Sequence, residues 1–158
     1  MRFGLVDRII ELTRGERIVA VKAVSLSEEY LSDHFPTFPL LPGVFMLQAL
    51  VESASWLLRD ARQFAQSLIL LREAKNVTYK SFVKPGHLLR MEVVCRRLAP
   101  SGGDFEGLGI SDQRDVVKAR FSLSAELLAD RSPALASLDQ TMIDAAKATF
   151  ALLRGPAV

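Results

Sequence analysis

The stretch His34-Phe35-Pro36-Thr37-Phe38-Pro39-Leu40-Leu41-Pro42-Gly43-Val44-Phe45-Met46-Leu47-Gln48-Ala49-Leu50-Val51-Glu52 joins a proline-spaced loop to the one long apolar helix pattern that starts from it. Pro36, Pro39 and Pro42 each fix φ and push the preceding residue toward extended conformations, so 34–42 reads as a stiff loop. From Val44 to Leu58 nearly every residue is apolar or a good helix former, which predicts a helix buried over most of its circumference. Gln48, Glu52, Ser55 and Arg59 interrupt that pattern at helical spacing and share one narrow stripe, which faces either water or a polar cleft. Gly43 sits at the helix entrance, where unpaired N–H groups and the positive end of the dipole suit a carbonyl oxygen or an anion. Its missing side chain lets a ligand approach the backbone.

The rest of the composition sets bounds. At 158 residues and 49% hydrophobic, the chain is long enough to bury a proper core as one domain. Twenty Lys and Arg against eighteen Asp and Glu leave a net charge of +2, and no basic block interleaved with aromatics points to nucleic acid. Cys95 is the single cysteine, which excludes an internal disulfide and a cysteine-based metal cluster. The longest apolar run, Phe38 to Val51, is shorter than the roughly 20 residues a membrane span needs. Asp7, Arg8 and Glu11 leave no uninterrupted apolar core for a secretory signal, and a cytoplasmic protein is expected.

Outward from the central stretch, Leu5–Leu12 and Arg17–Val24 are β-branched runs separated by Thr13-Arg14-Gly15-Glu16, and they read as a hairpin. Ser67–Tyr79 is a further strand, followed by a turn at Pro85-Gly86. Leu89, Met91, Val93 and Cys95, and later Val117, Ala119, Phe121, Leu123 and Ala125, alternate with polar residues as strands with one buried face do. Turns at Pro100–Asp104 and Asp112–Asp115 flank a middle strand, Phe105–Ile110. After a linker, Ser137 and Gln140 suggest a capping box for a final helix with Leu138, Met142, Ile143, Ala146, Phe150 and Leu153 on one face. The expected fold is α+β: about six antiparallel strands in a curved sheet around one buried helix. Residues 1–130 form its body, and 131–158 a linker and a helix packed on it.

His-Phe-Pro at 34–36, Pro39, Pro42-Gly43-Val44, Leu47 and Ala49 resemble the signature of the hot-dog-fold 3-hydroxyacyl-[acyl carrier protein] dehydratases of bacterial fatty acid synthesis. The segment Lys75–Leu88 is similar to the family as well, and the resemblance spans roughly residues 5–128. It departs at one place. The family has an acidic residue fourteen positions after the histidine and usually a glutamine four further on. Here those positions hold Gln48 and Glu52, so the two side chains look exchanged.

The resemblance implies a lyase that needs no metal or other cofactor. It implies sites built across a homodimer, possibly a trimer of dimers, and substrates carried on acyl carrier protein or coenzyme A. His34 would move protons, and the N–H groups of Gly43 and Val44 would hold the thioester carbonyl, with Phe35 and Pro42 beside it. Gln48 can hydrogen-bond a hydroxyl but cannot give up a proton at useful pH. Either Glu52 supplies the acid, or His34 makes both transfers, or the site binds acyl chains without turnover. A hot-dog thioesterase using Glu52 and a non-catalytic acyl-binding subunit are the rival readings. His87 reads as a strand-start side chain, and Lys75, Lys80, Lys84, Arg96 and Arg97 as residues that could meet an acidic carrier protein.

Overall fold

The computed structural model describes residues 4–156. Six strands, β1 (Arg8–Thr13), β2 (Arg17–Ala23), β3 (Leu68–Tyr79), β4 (Leu88–Ala99), β5 (Gly102–Ser111) and β6 (Arg114–Glu126), make one sheet in the order β1-β2-β4-β5-β6-β3. Every neighbouring pair is antiparallel. Helix α1 (Gly43–Ala61) packs across β2, β4, β5 and β6, so the sheet wraps it in the hot-dog arrangement.

The apolar spacing explains the packing. Met46, Ala49, Leu50, Ser53, Ala54, Leu57 and Leu58 recur every three or four residues and are all buried. They meet Ile18, Ala20, Leu89, Met91, Val93, Phe105, Val117, Ala119 and Phe121 in one core. At Gly107 the sheet comes so near that a Cβ would lie 3.1 Å from the Leu50 side chain.

Several boundaries differ from the sequence reading. The turn after β4 is shorter than Pro100–Asp104, because Gly102, Gly103 and Asp104 already belong to β5. A Cβ at Gly102 would collide with the Leu123 carbonyl oxygen, so that glycine serves close strand approach. The next turn is only Asp112-Gln113, both left-handed (φ 49° and 63°), as a two-residue hairpin between right-twisted strands requires.

The linker is partly helical, with α2 (Leu128–Arg131) and a single 3-10 turn at Pro133–Leu135. Helix α3 (Ala136–Arg154) begins one residue before Ser137, and Leu135 at its N-cap makes no side-chain bond. The expected capping box is therefore absent, and Gln140 donates to Asp144 instead. Asp139 does the anchoring: its carboxylate accepts the N–H groups of Leu128 at 2.7 Å and Ala129 at 3.0 Å and the Ser67 hydroxyl. Phe150 packs against Trp56 and Phe64, while Leu138 and Met142 remain exposed.

Candidate active site

The proline loop closes on itself. The Leu40 N–H donates to the His34 carbonyl at 3.0 Å, and His34 Nδ1 lies 2.9 Å from the Leu40 carbonyl oxygen. A ring nitrogen facing a carbonyl at that distance carries the proton, which leaves Nε2 with a free lone pair. The Phe35 ring sits 4.4 Å from the imidazole, across a cis His34–Phe35 peptide. Leu41 N–H donates to the Val83 carbonyl at 2.9 Å and ties the loop to the segment before β4.

From Leu40 the chain needs only three residues to reach Gly43, a span of at most about 11 Å. Pro42 is the N-cap of α1 and has no side-chain donor or acceptor to offer. Its carbonyl accepts from Phe45 at 2.9 Å and Met46 at 3.3 Å, while the N–H groups of Gly43 and Val44 meet no acceptor among the described residues. Free amides at the first turn are what any helix start leaves, and here they open beside the proline loop. The Tyr79 ring closes over Gly43 so tightly that a Cβ there would lie 3.3 Å from it. Burial pushes the Tyr79 phenol above its ordinary pKa.

The polar stripe of α1 splits. Gln48 is exposed and has no hydrogen-bond partner among the described residues. Glu52, half-buried, accepts the Leu5 N–H at 2.8 Å. Burial raises its pKa, and that bond opposes the rise. Ser55 donates to Val51 in its own helix, and the Arg59 guanidinium donates to the Gln66 and Ser67 carbonyls, so neither is a solvated surface residue.

A cavity of about 770 Å³ opens at Glu52, lined also by Lys22, Tyr30, Trp56 and Leu153; His34, Gly43 and Gln48 do not border it. The imidazole loop leads directly into the helix start, while the cavity at Glu52 is lined by neither. No three His, Cys, Asp or Glu side chains converge as metal ligands among the described residues. Tyr79 against Gly43 and the Leu40 carbonyl against His34 are contacts that sequence reasoning missed. A strand tyrosine and a backbone oxygen carry no local signal of such contacts.

Exposed apolar side chains surround the site. Val44 is 64% exposed, Phe82 68%, and Phe35 and Phe38 53% each. Val44 and Phe35 are the sequence neighbours of the free amides and the imidazole, so these groups stand beside exposed apolar side chains.

The FabA-like domain family matches residues 1–120. The chain is 36% identical over 126 residues to the 3-hydroxyacyl-[acyl-carrier-protein] dehydratase FabZ of Chloroflexus aggregans, covering 80% of this chain and 83% of that one. It is 35% identical over 120 residues to the enzyme of that name from Rhizorhabdus wittichii, covering 75% and 76%. Among solved structures it is similar to the dehydratase heterocomplex ApeI:P of Xenorhabdus doucetiae, with a TM-score of 0.62 at 18% identity over 77% of this chain and 82% of that one. A Streptococcus mutans protein bound to acetyl-CoA gives a TM-score of 0.58 at 14% identity, over 79% and 92%. At those identities the two structures speak for the shared hot-dog fold alone. The match over residues 1–120, together with relatives more than a third identical over most of both chains, places this chain in the FabA-like family.

Proposed function

We propose that this chain is a hydro-lyase that removes water from a (3R)-hydroxyacyl group held as a thioester, giving the trans-2-enoyl product in fatty acid or related acyl-chain synthesis. Its relatives are named for substrates on acyl carrier protein, and the same carrier is assigned here. The observation that carries the reading is the fixed imidazole: with Nδ1 engaged by the Leu40 carbonyl at 2.9 Å, Nε2 is a base ready for the proton on C2.

As the C2–H bond breaks, charge builds on the thioester oxygen, where the Gly43 and Val44 N–H groups stabilise it. The C3–O bond then breaks, the C2=C3 bond forms, and the proton on His34 leaves with the hydroxyl as water. Gln48 binds that hydroxyl without donating a proton. The outward position of Gln48 and the exposed apolar rim fit a site completed by a second copy of the chain. The open edge of β3 fits the same homodimer.

The test uses a 3-hydroxyacyl thioester and its saturated counterpart. Loss of water from the first and no free thiol from either is expected, and thiol release from both would make the protein a thioesterase. His34→Ala should cost about 10²–10⁴-fold in kcat. Unchanged turnover in that variant removes the assignment.

A further inference from the structure

Dehydration needs a group that gives a proton to the departing hydroxyl, and Gln48 has none to give. Asp33, next to the imidazole in sequence, and Glu52 both line the cavity that neither His34 nor Gly43 borders, and Glu52 already accepts the Leu5 N–H. The sheet supplies a different group. Tyr79 is the last residue of β3 and pairs with Val117 of β6, and the next N–H, that of Lys80, donates to the Val116 carbonyl at 2.8 Å. The ladder thus fixes where the side chain starts. Its ring lies along the open face of Gly43: the three atoms nearest to a Cβ placed on that glycine are Tyr79 Cδ1, Cε1 and Cγ, at 3.3, 3.3 and 3.6 Å. Tyr79 is still 45% exposed, and its hydroxyl has no hydrogen-bond partner among the described residues. Burial raises the phenol's pKa, so the group keeps its proton at neutral pH.

A thioester carbonyl held by the Gly43 and Val44 amides has C3 only two bonds from its carbon, within reach of a ring that touches Gly43. We infer that Tyr79 is a further catalytic residue, the proton donor to the leaving C3 hydroxyl, an assignment that rests on the dehydratase reading. His34 Nε2 takes the proton from C2. The C3–O bond then breaks with its electron pair on oxygen, the C2=C3 bond forms, and the Tyr79 O–H proton completes a water molecule. The phenolate recovers the proton held by the imidazolium, which is the stronger acid of the two. Both groups return to their starting states, and the net transfer, from C2 to water, is that of the proposed reaction. A phenol is a weaker acid than a carboxylic acid, so Gln48→Glu still has rate to gain.

Two reactions of the full chain separate this role from a structural one. Exchange of the C2 hydrogens of a saturated acyl thioester into deuterium oxide, followed by proton NMR, needs only the base and the amides. Dehydration of the 3-hydroxyacyl thioester needs the acid as well. Tyr79→Phe keeps the ring on Gly43, so exchange, KM and melting temperature should match the parent. Its kcat for dehydration should fall about 10²-fold, the lower end of what general acid assistance is worth. Unchanged dehydration in Tyr79→Phe overturns the role. So does a parallel fall of exchange and dehydration, which makes the hydroxyl a prop for the helix start. Lys84, whose Nζ lies 5.4 Å from the Phe38 ring of the proline loop, is the rival donor. Dehydration lost and exchange kept in Lys84→Met, with neither changed in Tyr79→Phe, hands the role to Lys84 and overturns the assignment. His34→Ala should lose both reactions. A parent that performs neither sinks the dehydratase reading and the role of Tyr79 with it, whereas a parent active in both with an indifferent Tyr79→Phe sinks Tyr79 alone.

Discussion

In the proposed mechanism His34 is held by one carbonyl, and Gln48 is the residue that would limit departure of the hydroxyl. An amide at the hydroxyl position orients the leaving group but supplies no proton. Gln48→Glu should therefore raise kcat for dehydration, toward the about 10²–10⁴-fold that general acid assistance is worth. Steady-state rates at neutral pH check this. Glu52 makes the opposite bargain. Burial raises its pKa above the ordinary 4.5, with the Leu5 N–H and the nearby Lys22 charge acting against that rise. A carboxylic acid that binds its proton more tightly when folded than when unfolded loses stability as pH climbs upward from about 4.5. Glu52→Gln keeps an acceptor for Leu5 and removes the charge, so it should flatten that decline and be at least as stable as the parent at pH 7.5. Urea unfolding at pH 5 and pH 7.5 measures both. The sequence revealed the stripe these residues share, because helical spacing is local. It could not reveal that Leu5 stands opposite one of them and open surface opposite the other.

Among the elements, α3 is anchored at its start by one carboxylate, Asp139. The Ser67 hydroxyl, helped by the Leu128 and Ala129 amides, holds Asp139 below the usual carboxylate range against the opposing effect of its burial. That contribution is present above the unfolded value of 3.8 and is lost as pH falls through the lower folded value. Asp139→Asn should lower the melting temperature at pH 7 and shrink its difference from the parent below pH 4, as scanning calorimetry would show. We propose that residues 131–158 act as a stabilising cover on the main body. Truncation after Leu128 should lower both solubility and melting temperature.

The prolines, the Pro85-Gly86 turn and the alternation in β4 and β6 made most of the architecture legible, since each acts on its neighbours in sequence. The extent of β5 was hidden because Gly102 answers to the backbone of Leu123, twenty-one residues away. The start of α3 was misread for the same reason: Ser137 has the local signature of a cap, but Asp139 has the tertiary partners.

At the scale of the whole molecule, the sheet ends on β3, a twelve-residue strand paired with β6 on one side only. Leu71 and Tyr79 on that strand are 42% and 45% exposed. If two copies join there, Leu71→Lys should leave the protomer folded and shift sedimentation from the mass of two chains toward one. Turnover should fall with it, because the proposed site needs both copies. The strand is not regular: its register against β6 shifts between Leu71 and Glu73 and again between Lys75 and Thr78, where Asn76 takes a left-handed φ of 51°. A straight foreign strand zipping onto this border would run out of matched rungs at the first kink, whereas another β3 brings the same irregularities to the seam. If β3 is the seam, such bends would favour a second copy over an unrelated strand, and a border that invites polymerisation should stop growing at two.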